Sequence, residues 1–343
     1  MARCDYANAR VGGMRGRLLG PKGITELLAQ PGLAARLEYL KKTDYGPSLA
    51  AHLAREPDPL RGAERGLRAR LLDDLVGIDR FLRGERVRGL FRAVLAFEDG
   101  WNLKTILRGI TREEPPERLF QLLAPTPELD DAALGEMVRQ EEVKAVLDLL
   151  VSWRSRYAAP LERAFAAYRA HRELFLLELA LDQFLFAHAR QSARGDGEDG
   201  RVLLGFLEAQ IDLVNAATLL MHRDGAGSEE LFIPGGRVLG AKRFRQLSTL
   251  RERELRESLA QLGGLHLDTL AGMERADPFK VDELLQQALR QAMRREARVH
   301  PLSLAVPLAF VLERRAELQR IRLVLRGAEF GVPADELLAL VER

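Results

Sequence analysis

Glu98-Asp99-Gly100-Trp101-Asn102-Leu103-Lys104-Thr105-Ile106-Leu107-Arg108-Gly109 is the stretch on which the fold turns, because its pattern returns along the chain. The second copy is Ile211-Asp212-Leu213-Val214-Asn215-Ala216-Ala217-Thr218-Leu219-Leu220-Met221-His222. A weaker third reads Ala316-Glu317-Leu318-Gln319-Arg320-Ile321-Arg322-Leu323-Val324-Leu325-Arg326-Gly327, and Asp5-Tyr6-Ala7-Asn8-Ala9-Arg10-Val11 begins like a fourth. An acidic residue and a polar residue three places on precede an apolar run. On a helix, residues three and four apart share a face. Asp99, Asn102 and Thr105 therefore form a polar stripe beside Leu103, Ile106 and Leu107. Asp212, Asn215 and Thr218 repeat it beside Leu219 and Leu220, and Glu317 and Arg320 hold the matching places in the third copy. A half-buried Asn needs a specific partner. The stripe is accordingly read as a structural seam that fixes how paired helices dock.

A second landmark follows the cores in the same order: Leu18-Leu19-Gly20-Pro21, Leu122-Leu123-Ala124-Pro125 and Leu231-Phe232-Ile233-Pro234. Roughly 80 to 90 residues separate each proline from the next core. Two landmarks recurring in order imply three related helical units, with boundaries expected at 1–115, 116–228 and 229–343. Each unit is a helix, a loop, a long helix carrying the core, and a proline-marked turn.

Outside the repeat the patterning is also helical. Leu67, Leu71, Leu75, Ile78 and Leu82 make one apolar face. Similar patterns run over Pro160 to Arg190, Arg201 to Arg223, Pro278 to Arg298 and Leu302 to Arg326, and strand alternation is absent. Loop chemistry marks Gly109 to Pro116, Asp224 to Ser228 and Pro234-Gly235-Gly236. Gln191 to Gly200 reads as a surface loop between two long helices.

The composition agrees. Of 343 residues, 47% are hydrophobic and 30% charged, which excludes long disorder. Charges nearly cancel, 52 Lys and Arg against 50 Asp and Glu, so no basic excess calls for nucleic acid. The predicted class is all-α. Cys4 is the single cysteine, which excludes an internal disulfide and a cysteine zinc site. No secretory signal is read at the start. No segment is expected to reach the ~18 apolar residues of a membrane span. Leu174 to Ala189 comes nearest, interrupted by Glu178, Asp182 and Gln183, and Pro301 to Leu312 is shorter still.

Catalytic equipment is sparse. Gly16-Arg17-Leu18-Leu19-Gly20-Pro21-Lys22-Gly23 has the wrong spacing for a phosphate loop and a proline where N–H donors are needed. His52, His171, His188, His222, His266 and His300 show no two-histidine metal spacing. Glu141-Glu142 and Glu229-Glu230 are paired carboxylates of the kind found on solvated helices. The arginines of 61–70 and 294–298 are interleaved with acids and apolar residues, as on exposed helix faces. No catalytic residue, cofactor site or metal site is assigned, and neither a nucleic acid nor a small-molecule substrate is expected.

The ordered motifs resemble the C subunit of prokaryotic V/A-type ATPases, the counterpart of the d subunit of the eukaryotic V-ATPase. The resemblance starts at Asp5 to Val11 with Met14-Arg15-Gly16, and continues through Leu40 and Thr43-Asp44-Tyr45-Gly46. It includes Asn102 to Arg108, Ile211 to Asn215, Pro234-Gly235-Gly236, and Pro301 through Phe310, Glu313, Arg322 and Phe330-Gly331-Val332-Pro333. Two departures stand out: Met221 occupies the place of Arg108 and Arg326, and Arg320 the place of the two asparagines.

That resemblance implies three similar helical domains around a pseudo-threefold axis, shaped like a funnel. It implies a non-catalytic central-stalk adaptor, peripheral on the cytoplasmic side of the membrane. Its partners would be an axle made of the D and F subunits and a proteolipid rotor ring, and its task torque transmission coupled to proton or sodium transport. Two other classes fit the composition. A free-standing α-helical repeat scaffold would form an open superhelix. An enzyme would need a deep pocket with clustered titratable groups.

Overall fold

The computed structural model describes residues 4–195, 197–221, 230–263, 267, 270 and 278–341. Among these there are seventeen α-helices and no strand, so the chain is all-α. The first six are α1 Asp5–Arg15, α2 Gly20–Leu28, α3 Gly32–Lys41, α4 Gly46–Leu53, α5 Pro59–Phe81 and α6 Glu85–Thr111. Next come α7 Pro116–Phe120, α8 Asp131–Val138, α9 Val143–Ser152, α10 Ala158–His171, α11 Phe175–Ala193 and α12 Gly197–Met221. The last are α13 Ala241–Ser248, α14 Glu252–Ala260, α15 Pro278–Val299, α16 Ala305–Glu329 and α17 Ala334–Val341.

Local chemistry sets the helix ends. Asp58 caps α5 by accepting the Leu60 and Arg61 N–H groups, and Pro59 fits the first turn, where no N–H is required. The apolar face then buries Leu67, Leu71, Leu75 and Ile78 as the spacing predicts. Gly84, at φ 99, turns the chain into α6. The pattern read across Pro160 to Arg190 is two helices, not one. Arg172 adopts a left-handed conformation at φ 59 and reverses the chain, so α10 packs on α11. No glycine or proline marks that break in the sequence.

The Gln191 to Gly200 run is not a loop over most of its length. α11 continues to Ala193 and α12 begins at Gly197. Asp199 instead accepts the Leu304 N–H at 2.8 Å, tying α12 to the start of α16. The Asp224 to Ser228 turn, His222, Glu229 and His266 lie outside the described residues.

The three repeat cores fall on the three longest of the described helices, α6, α12 and α16. Their buried sides share the apolar interior in two clusters. One joins the C-terminal half of α6 to the stretch from Leu119 to Leu185. The other gathers α1–α5, the first half of α6, α12 and the remaining C-terminal helices. The chain closes on itself: α1, α2 and α3 at the start pack against α16 near the end.

α12 corrects the expectation about membrane spans. By length and composition it qualifies to cross a membrane, so it surpasses 174–189 as a candidate. Yet it packs against α6, α11, α13, α14, α15 and α16, and buries Asp212 and Asn215. A helix surrounded on most sides is apolar because it is core.

Candidate functional site

The seam binds loops. In α6 the Asn102 carboxamide closes a two-way pair with the backbone of Ala124: Nδ2 donates to the carbonyl at 2.7 Å, and the Ala124 N–H returns to Oδ1 at 3.3 Å. In α12 Asn215 does the same to Ile233, at 2.8 and 2.9 Å. Both partners precede the landmark proline, Pro125 or Pro234. A residue before proline is held extended, so its N–H and C=O are left without helical partners. A carboxamide, carrying one donor group and one acceptor, satisfies both at once. The sequence reading of paired helices is corrected here, since the partner of each asparagine is the proline-marked turn.

The acid one turn earlier holds the next stretch of the same loop. Asp99 accepts the Thr126 hydroxyl on one oxygen and the Tyr157 hydroxyl on the other, the latter at 2.6 Å. Asp212 accepts three consecutive backbone N–H groups, from Arg237 and Val238 at 2.9 Å and Leu239 at 2.8 Å. Gly236 is required beside it, because a Cβ there would lie 2.0 Å from Asp212 Oδ1. Burial pushes the Asp99 carboxyl up to about 6, against the opposing hydroxyl donors. Burial and the neighbouring Asp99 also raise the Tyr157 phenol.

The third copy explains its own departure from the pattern. Glu317 accepts the Gly20 N–H, ahead of Pro21, at 3.0 Å and the Tyr45 hydroxyl at 2.6 Å. One longer carboxylate thus does the work of both Asn102 and Asp99, and Arg320 stands half-buried at the place where an asparagine is no longer needed. The first landmark therefore docks on the last core. Tyr45 and Tyr157 are equivalent: each enters a helix, and each donates its backbone N–H to a hydroxyl two residues back, Thr43 or Ser155, at 3.3 Å.

The third core adds a buried ionic centre. The Arg314 side chain is fully buried and donates to Asp74 at 2.7 Å, Asp44 at 2.8 Å and the Tyr45 hydroxyl at 2.8 Å. Arg70 joins Asp44 and Asp74 at 2.9 and 2.7 Å, and Arg17 reaches Asp44 at 3.4 Å. Burial works against the Arg314 charge, but Tyr45 and Asp74 carry its pKa above the ordinary value. Burial raises Asp74, with Arg314 and Arg70 opposing.

Thr105 and Thr218 do not join the seam. Their hydroxyls donate back to Trp101 and Val214, four residues earlier on their own helices, at 2.8 and 3.0 Å. The other predicted residues, Asp99, Asn102, Asp212, Asn215 and Glu317, are all buried and bonded as above. Sequence reasoning passed over Arg314, Thr126 and Tyr157. A recurring hydroxyl-x-Tyr signal, Thr43-x-Tyr45 and Ser155-x-Tyr157, was there to find the tyrosines.

A glycine closes two of the cores in the same way. Gly109 and Gly327 receive Leu119 and Leu337, ten residues on, so closely that any Cβ would overlap them. Their carbonyls accept the N–H of Glu114 at 3.0 Å and Val332 at 2.8 Å. Just before each, Arg108 pairs with Glu178 and Arg326 with Glu64, both at 2.6 Å. Among the described residues no group of three or more His, Cys, Asp or Glu side chains is placed to hold a metal ion.

These geometries define an all-helical protein whose polar side chains join repeated helices to repeated turns. The chain belongs to the ATP synthase (C/AC39) subunit family, whose profile matches residues 7–340. It is 28% identical over 341 residues to the A-type ATP synthase C subunit of Halorubrum lacusprofundi, covering 97% of this chain and 95% of that protein. The V-type ATP synthase C subunit of Deinococcus radiodurans is 26% identical over 333 residues, covering 97% and 89%. The A-type ATP synthase C subunit of Pyrococcus horikoshii is 27% identical over 347 residues, covering 98% and 90%.

Proposed function

We propose that this chain is the non-catalytic central-stalk adaptor of a rotary V/A-type ATPase. It links an axle made of the D and F subunits to the proteolipid rotor ring on the cytoplasmic face of the membrane. In that position it transmits the torque that couples ATP turnover to proton or sodium movement. Its three units, 1–115, 116–228 and 229–343, would stand around a pseudo-threefold axis as a funnel, each core helix docked on a proline-marked turn.

One observation supports the reading: the turn at Gly20 seats on the core at Glu317, as a closed repeat would require. A closed ring of units suits a part that must turn as one body, whereas an open stack bends between repeats. Close-packed helices and buried, bonded seams supply the stiffness. Reconstitution of the full chain with purified axle proteins, and separately with the rotor ring in detergent or bilayer, tests it. Binding to both is expected, and absence of binding to either partner overturns it.

A further inference from the structure

Two guanidiniums flank one carboxylate where α5, α6 and α16 meet, and a third lies on the same face of α16. Glu98 of α6 lies 2.5 Å from Arg315 and 3.4 Å from Arg68. Arg322, two helical turns beyond Arg315 on α16, lies in the field of Glu64 first and of Glu98 second, and adds to the positive field at Arg68. Arg326 beside them is matched by Glu64. The group therefore holds two positive charges in excess. The Nε atoms of Arg68 and Arg322 are buried without a hydrogen-bond partner. Burial lowers the Arg68 pKa to about 10 and lowers Arg322 as well, so the fold keeps these cations at a cost.

The ionic centre around Arg314 shows what a purely structural network in this protein looks like. There Arg17, Arg70 and Arg314 face Asp44, Asp74 and Glu317, three charges against three. The Glu98 group is unbalanced, and it reaches solvent at its edge, through Trp101 and the half-buried Arg315 and Arg322. Trp101 is 41% exposed and carries the Arg68 guanidinium 3.4 Å above its ring, while Arg315 and Arg322 are half-buried. Arg68 also lines a groove of about 730 Å³ that runs along α5 past Leu72 to Leu122 and Leu123.

We propose that Trp101, Arg68, Arg315 and Arg322 form the docking site for an acidic segment of a protein partner. That segment presents two carboxylates to the arginines and an apolar side chain to the tryptophan. Two carboxylates match the excess charge, and the planar guanidinium fork matches carboxylate geometry. Exposed tryptophan with arginine is the composition that dominates binding energy at protein interfaces. Under the stalk reading this segment belongs to the axle, and to that extent the inference rests on that reading.

The test measures binding of the full chain to a fluorescent ten-residue poly-glutamate peptide and, separately, to purified axle proteins, across a salt series. Arg322→Glu should weaken both by about tenfold or more and flatten their salt dependence, with melting temperature unchanged or raised. Arg322→Gln, which removes charge without reversing it, should lose less, and Trp101→Ala should weaken the axle by several-fold. Exposed Arg139, distant in sequence and paired to Glu136 on its own helix, supplies the control: Arg139→Glu should change nothing. Equal peptide binding by wild type and Arg322→Glu overturns the inference. So does an axle that binds both proteins equally well. Displacement of the peptide by millimolar inorganic phosphate, with axle binding insensitive to Arg322→Glu, would make this a small-anion site and also overturn it. If the axle fails to bind wild type while the peptide binds in an Arg322-dependent way, the stalk reading falls and the acidic docking site stands.

Discussion

The seams of α12 and α16 hold equivalent turns by opposite means. At α12 a carboxylate and a carboxamide divide the work, and every donor to Asp212 is backbone. At α16 a single glutamate takes the turn and is itself held by side chains that end in a buried arginine. The first arrangement binds a loop directly. The second routes the loop through an ionic centre reaching α4 and α5, so it ties together elements far apart in sequence. The same repeat position can thus serve one unit locally or join the two ends of the chain.

That contrast predicts where the molecule is most fragile. Arg314→Ala should give the largest loss, about 3–5 kcal/mol in urea unfolding, because buried Asp74 and part-buried Asp44 would be left with reduced compensation. The matching position in α12, three residues before Asp212, is Ala209, so no such arginine is present to lose. A loss below about 1 kcal/mol would mean the ionic centre is not what joins the ends. Asp212→Asn comes next, at about 2–3 kcal/mol. An amide group turned toward three N–H donors satisfies fewer of them and opposes at least one. Asn102→Leu and Asn215→Leu should each cost about 1–3 kcal/mol by stranding the N–H and C=O of Ala124 or Ile233. Asn102→Leu should cost somewhat more of the two, because Asn102 Oδ1 also accepts from the Arg68 guanidinium at 3.2 Å. A larger loss for Asn215→Leu would break the equivalence of the first two seams in thermal melts.

Much of this was legible in the sequence, and the reason is periodicity. Asp99/Asn102 and Asp212/Asn215 share spacing and a proline-marked follower, so their equivalence can be read without any contact in view, while the turn that each asparagine holds cannot. The all-α class follows from the same patterning. What the sequence conceals is long-range. Glu317 replaces two residues only because its extra methylene reaches both Gly20 and Tyr45, almost the whole chain away. Arg314 has no repeat signature, since its counterparts are Ala96 and Ala209. The break at Arg172 carries no glycine or proline, and α12 is apolar enough to span a membrane because a central helix packs against neighbours on most sides.

Asp99→Asn gives the smallest expected change at neutral pH and the sharpest comparison with Asp212→Asn. Asp99 receives two hydroxyls, and a hydroxyl can rotate to accept where a backbone N–H cannot. The carboxamide introduced by this substitution would keep one acceptor for one hydroxyl and donate to the other. The native carboxyl titrates near 6, against an unperturbed 3.8, so between those values the native state binds more protons than the unfolded state. Stability should therefore fall as pH rises from about 4 to 6, by an amount on the order of 2 kcal/mol from this group. Above pH 6 the full cost of burying the charge is present, and the asparagine variant escapes it. Net stability at pH 7 should then stay within about 1 kcal/mol of wild type, the relief offsetting a poorer hydrogen bond. The measurement is the difference between the two stability curves from pH 4 to pH 7, which cancels the contributions of Asp74 and Asp182, both also raised by burial. A flat difference would show that burial does not disfavour the charged form of Asp99.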